Sequence, residues 1–107
     1  GQMSSKGGAV DKKEKKRREA EFRKSIQPQL NRQQRLEREM DKLREKQTET
    51  ESLLGDSSLY EDDRKNELRD VLFTQAENKK RLEQLEMEWF DISEEIEQLR
   101  DEFEQNV

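Results

Sequence analysis

Cysteine and histidine are both absent from the 107-residue chain. Their absence removes the side chains that form disulfides, and that most often bind zinc or transfer protons near neutral pH. Apolar residues are also scarce, since 27% of the chain is hydrophobic and 46% is charged. A globular domain is typically about 45–50% apolar. The chain therefore cannot fill a three-dimensional core around an enclosed site.

Long apolar runs are missing as well. No stretch approaches the roughly 18 consecutive apolar residues of a membrane-spanning helix, and no apolar signal segment opens the chain. The sequence has no phosphate-binding glycine loop, no nucleophile paired with a base and no spaced set of metal ligands. We expect a cytoplasmic protein without a membrane partner, in which this chain is not itself an enzyme and holds no cofactor.

Two hydrophobic ladders are what the sequence does contain. Each alternates steps of three and four residues, which is the heptad pattern of a coiled coil. The first ladder runs through Phe22, Ile26, Gln29, Gln33, Leu36, Met40, Leu43, Gln47, Thr50 and Leu54. The second runs through Leu68, Val71, Gln75, Asn78, Leu82, Leu85, Trp89, Ile92, Ile96, Leu99 and Phe103. Their polar members either select one register or are tolerated in a solvent-accessible seam.

The segment between the ladders predicts that the chain folds back on itself. Gly55 is expected to end the first helix in a left-handed conformation, Asp56 to cap a short helical segment, and Asp62 or Asp63 to cap the second helix. The fold class is therefore all-α, an antiparallel two-helix coiled-coil hairpin with a short capped turn. The acids of the turn lack the ligand spacing and central glycine of a calcium loop.

The predicted boundaries follow from composition. Residues 1–10 are expected to be a flexible lead or tag, helix 1 to span about 11–54, the turn 55–62 and helix 2 about 63–104, within one domain over 11–107. Pro28 should bend helix 1 near residues 25–27. A turn centred near residue 59 pairs Phe22 with Ile96, Leu30 with Trp89, Leu36 with Leu82 and Leu43 with Gln75. At 1.5 Å rise per residue the hairpin should be roughly 60 Å long.

Basic residues supply the candidate contacts for a partner. They form a lead segment, a pair of clusters on the helices and a tip. The lead comprises Lys12, Lys13, Lys15, Lys16, Arg17 and Arg18. The helical clusters comprise Arg35, Arg38 and Lys42 with Lys79, Lys80 and Arg81 across from them, and the tip comprises Tyr60, Arg64 and Lys65. Lysine and arginine at such sites would contact phosphates in a salt-sensitive manner.

Each of these groups also has a purely structural explanation. The lead is either a nucleic-acid tether or the electrostatic complement of the acids at 94–104, which an antiparallel hairpin brings alongside it. The helical clusters are either a phosphate-binding surface or an ordinary solvated helix face. Tyr60 either stacks on a base or covers the open end of the seam. The net charge of −5 opposes indiscriminate binding to nucleic acid.

Three segments together resemble the C-terminal domain of the ABC-F ATPases, nearest the bacterial Uup/YheS-like group. They are the basic lead KKEKKRREAEFRK, the turn LGDSSLYEDDRKNEL and the closing seam LEMEWFDISEEIEQL. The resemblance implies two upstream ATP-binding cassettes, absent from this sequence, that would hold ATP and magnesium. Many members of that family act on the ribosome, and the extension of Uup-like members is associated with DNA binding.

The resemblance therefore implies a non-catalytic coiled-coil arm that contacts ribosomal RNA or DNA and supports a translation-related role. The alternative is a protein–protein interaction or dimerisation coiled coil with no nucleic-acid contact. The short turn favours a monomeric hairpin, and a domain-swapped dimer is the other possible assembly.

Overall fold

The chain folds into a long helical hairpin. The structure is a computed structural model that describes the backbone of residues 2–106 and the side chains of residues 11–106. Helix α1 spans Gln2–Ser25, α2 spans Gln27–Leu54 and α3 spans Lys65–Gln105. Two 3₁₀ turns, Ser57–Tyr60 and Asp62–Arg64, connect α2 to α3. The molecule measures 87 × 19 × 16 Å. This architecture confirms the predicted all-α hairpin.

The two predicted ladders face each other along the seam. Every ladder residue is buried or half-buried, whereas most of the residues between them are exposed. A continuous apolar core occupies the middle of the hairpin and comprises Leu36, Met40, Leu82, Leu85, Ile92 and Ile96, with Leu30, Leu43 and Trp89 packed against it. One chain therefore supplies both sides of the coiled coil. Among residues 2–106, no helix is both long enough and apolar enough to cross a membrane.

The register of the hairpin differs from the predicted one by about a heptad. Phe22 stacks on Phe103, with ring centroids 4.3 Å apart, and not on Ile96. Further along, Gln33 donates a hydrogen bond to Ser93 Oγ at 3.0 Å. The reason is the asymmetry of the turn: its first 3₁₀ segment packs back against α3, so α3 begins beyond the end of α2.

The break between α1 and α2 lies at Ile26, inside the stretch where Pro28 was expected to bend the helix. Ile26 N–H still donates to Phe22 O at 3.1 Å, and Leu30 N–H donates to Ile26 O at 3.0 Å. Ile26 itself is buried, with 3% of its surface exposed. Helical hydrogen bonding thus continues through the break, which explains why the heptad phase is kept across it.

Helix α1 begins earlier in the chain than predicted. Its backbone is helical from Gln2, whereas the helix was expected to begin near residue 11. Extending an existing helix adds a hydrogen bond for each residue without a new nucleation cost, which favours continuation past the helix-forming segment. That residues 1–10 act as a flexible lead or tag stays a prediction, because their side chains lie outside the described part of the chain.

The turn is built differently from the prediction in two respects. Gly55 has φ −80° and ψ −11°, a right-handed conformation, because α2 ends by tightening: Asp56 N–H donates to Leu53 O at 3.1 Å. Asp62 and Asp63 do not cap α3, since both lie in a 3₁₀ turn and Arg64 occupies the N-cap position. The predicted cap at Asp56 is confirmed, as its carboxylate accepts from Ser58 N–H at 3.0 Å.

Candidate nucleic-acid interface

The basic lead segment projects beyond the end of the two-helix seam. Phe22 is opposite Phe103, and α3 ends at Gln105. Before about residue 20, the axis of α1 therefore continues past the end of α3, although Lys15, Arg18 and Glu19 still line shallow depressions beside Phe103. Since α3 accounts for roughly 60 Å at 1.5 Å rise per residue, the continuation of α1 back to Gln2 accounts for most of the remaining length of the 87 Å molecule. We call residues 11–19 the basic overhang.

Cations surround the overhang on all sides. Successive residues of an α-helix are rotated by about 100°, so a run of six basic residues within seven positions leaves no neutral face. All six side chains are exposed; they are Lys12, Lys13, Lys15, Lys16, Arg17 and Arg18. The cations are therefore spread around the helix, and only Lys15 and Arg18 also line depressions beside the end of α3.

Ion pairs of the overhang are formed within its own helix. Arg17 pairs with Glu14 and, at 4.0 Å, with Glu21, and Arg18 lies 3.7 Å from Glu14. The hydrogen bond from Arg17 lowers the pKa of Glu14, and the same bond raises the pKa of Arg17. Within residues 11–106, no ion pair joins the overhang to the acids of α3. The register shift explains this, because it places most of the overhang past those acids.

The second predicted cluster is dispersed around the hairpin. Lys79 lines a depression with Gln47 and Glu51 on one flank, whereas Arg81 contacts Glu39 at 3.3 Å on the other flank. These positions are about 200° apart on the helix, and Lys80 lies between them on the outer surface. The register also moves all three toward the tip. They do not lie directly across from Arg35, Arg38 and Lys42, which are exposed on α2.

At the tip, Arg64 holds the turn together. Its guanidinium donates to both carboxylate oxygens of Glu67 at 2.9 and 2.8 Å, and to Ser58 Oγ at 2.7 Å. Asp56 lies 4.0 Å away. The hydrogen bond from Arg64 lowers the pKa of Glu67, and bonds from Ser58 lower the pKa of Asp56. Arg64 is therefore committed to the turn and is a poor candidate for contact with an external phosphate.

The other two tip residues remain accessible. Tyr60 is 55% exposed, although its hydroxyl donates to Leu54 O at 2.7 Å and so fixes the ring. Lys65 pairs only with Asp62, at 3.4 Å, among the described residues. The end of the seam is closed by Leu59, which is fully buried. Leu59 therefore covers the end of the seam, as expected, with Tyr60 bonded to the last residue of α2 beside it. That Tyr60 stacks on a base stays a prediction.

Two structural contacts were not foreseen from the sequence. Trp89 Nε1 donates to Glu37 Oε1 at 3.0 Å, linking the core tryptophan to the surface of α2. The Arg64–Glu67 bond has three-residue spacing, a signal that was available in the sequence. Among residues 11–106, no group of three or more acidic side chains has the geometry of a metal site.

Relatives of the chain are found among bacterial ATP-binding proteins. Over 91 residues it is 44% identical to the probable ATP-binding protein YheS of Escherichia coli O6:H1 and to that of Escherichia coli K12, a match that covers 85% of this chain. It spans only 14% of the length of those relatives. No protein-family model and no solved structure matches the chain. The chain is therefore related to one segment of the YheS proteins, which confirms the resemblance to the YheS-like group of ABC-F ATPases.

Proposed function

We propose that this hairpin is a non-catalytic arm of a longer cytoplasmic ABC-F ATPase, and that it contacts the phosphate backbone of ribosomal RNA or DNA through its basic overhang. The observation that carries the proposal is the projection of six exposed cations past the end of α3. Exposed cations at the end of the hairpin can approach a polyanion without displacing another part of the protein. ATP and magnesium would be bound by other parts of that longer protein.

Charge placement supports this assignment of roles within the hairpin. Residues 83–104 contain ten acidic and one basic residue, and they would repel phosphate from the second half of α3. The overhang lies beyond most of this acidic stretch, so its cations act at a distance from the repulsion. Contact should therefore be made end-on, with the accessible tip residues Tyr60 and Lys65 as a second, weaker contact at the opposite end.

Salt dependence tests the proposal. Fluorescence anisotropy should show binding of the chain to a labelled duplex DNA or a labelled RNA hairpin at low salt. Affinity should fall steeply as salt rises, because each neutralised phosphate on duplex DNA contributes about −0.9 to the slope of log K against log salt. Absence of binding at low salt, or binding without salt dependence, would contradict the proposal.

Matched variants separate the overhang from overall charge. Lys12→Gln combined with Lys16→Gln removes two cations from the overhang, whereas Lys24→Gln combined with Lys46→Gln removes two exposed cations elsewhere. Both variants have the same net charge. We expect the overhang variant to lower the salt slope by about 2 units and the control variant to change it little. Equal losses would show that only the overall charge matters.

A further inference from the structure

A second hydrophobic stripe runs along the side of α3 that faces away from the seam. Phe73, Met87 and Phe90 are 67%, 70% and 56% exposed. Met87 and Phe90 are three residues apart, and Phe73 and Ala76 occupy the equivalent positions two heptads earlier. The heptad repeat keeps such positions on one face of α3, although the heptad between the two pairs carries Lys80 and Glu83 there. Ala76 also lines a depression with residues of α2. We call the two apolar pairs together the outer stripe.

The outer stripe takes no part in the packing of the hairpin. The seam residues of α3 already bury the facing side of the helix, and α3 contacts α2 and the turn there. A single exposed apolar side chain is ordinary on a protein surface. Two apolar pairs two heptads apart instead offer an approaching helix two separate anchor points.

Acidic side chains surround one end of the stripe. Glu83, Glu86 and Asp91 line a shallow depression together with Met87 and Phe90. Glu86 forms an ion pair with Arg44 at 3.8 Å, whereas Glu83 and Asp91 have no cation within 4.0 Å among residues 11–106. This surface combines exposed apolar groups with unneutralised carboxylates, and the carboxylates repel phosphate. It is complementary to a surface that carries both apolar and basic residues.

We propose that the outer stripe binds a helical protein segment with two apolar anchors. The anchors would be about 21 Å apart, the length of two heptads. Lysine or arginine would lie beside the anchor that meets Met87 and Phe90. A second copy of this chain packed in parallel would fit less well, because its acids would then face the same acids. This binding face is separate from the basic overhang.

A designed peptide tests the proposal directly. The probe is a fluorescein-labelled, alanine-based peptide of about 20 residues, long enough to form a helix, with leucine pairs two heptads apart and lysines around one pair. A scrambled peptide of the same composition controls for charge. The variant Met87→Ser with Phe90→Ser removes one anchor site. Leu53→Ser with Leu72→Ser, which replaces two other exposed leucines, is the matched control.

We expect the patterned peptide to bind the unaltered chain, and the Met87/Phe90 variant to bind it about tenfold more weakly or worse, a loss of about 1.4 kcal/mol. The Leu53/Leu72 control should keep most of the affinity, and Trp89 fluorescence should show that the seam is intact in both variants. No binding, equal binding to the Met87/Phe90 variant or equal binding of the scrambled peptide would overturn the proposal. So would dimerisation of the chain that the Met87/Phe90 variant abolishes.

Discussion

Leu59 is the residue on which the geometry of the turn depends most strongly. It lies in a 3₁₀ segment of four residues, between α2 and α3, and its side chain is fully buried. Truncating a buried leucine to alanine removes its transfer free energy and leaves a cavity, at a cost of about 2–5 kcal/mol. The site is at the end of the hairpin and can partly collapse. We therefore expect Leu59→Ala to cost about 2–3 kcal/mol.

Leu53→Ala is the matched control for this substitution. Leu53 is also at the end of the hairpin but is 44% exposed, so the same truncation should cost about 1 kcal/mol or less. For a chain of this size, 1 kcal/mol shifts Tm by about 4–8 °C. Thermal unfolding followed by circular dichroism should then give a Tm loss of about 10–20 °C for Leu59→Ala. A loss no larger than that of Leu53→Ala would refute the role assigned to Leu59.

Three further predictions concern the turn and the polar part of the seam. Gly55→Ala should stabilise the hairpin by about 0.4–1 kcal/mol in urea unfolding. The reason is that the backbone of Gly55 is right-handed and an added Cβ would meet only ordinary contacts at 3.5 Å. A lower urea midpoint would contradict this prediction. Asn78→Leu should raise Tm. Asn78 Nδ2 is buried with no hydrogen-bond partner among the described residues, and leucine would extend the apolar seam. An unchanged or lower Tm would show that the amide has a partner. Stability should fall as the pH drops below about 5. Asp56 and Glu67 have lowered pKa values in the folded chain, so their contribution is complete above their unfolded pKa and is lost as the pH falls through the folded one. Glu67→Gln should reduce this acid-dependent loss, and an unchanged pH profile would contradict the Arg64 network.

The seam was predictable because a heptad pattern records burial residue by residue. Leu85 and Ile96, for example, are two of the most deeply buried side chains, and both follow from the alternation of three and four alone. The break at Ile26 was also predictable in place, because proline lacks the backbone donor that a continuous helix needs.

The register was not predictable from the same pattern. Sliding one helix by a heptad places Phe22 opposite either Ile96 or Phe103, and both pairings bury apolar side chains. The choice is made by the turn, where Leu59 and the bonds of Arg64 fix how far α3 extends beyond α2. The candidate interface depends on that choice, since the basic overhang exists only because α3 ends opposite about residue 20.

Spin-label distances within one molecule test the hairpin and its register most directly. Because the chain has no cysteine, pairs of labels can be introduced without other changes. Arg23 and Arg100 line the same depression, so labels there should be close, whereas labels at Arg23 and Ser93 should be farther apart by about 10 Å, the length of a heptad. Dilution with unlabelled chain should leave these distances unchanged. A shorter distance for Arg23 and Ser93, or a short distance that disappears on dilution, would contradict an intramolecular hairpin in this register.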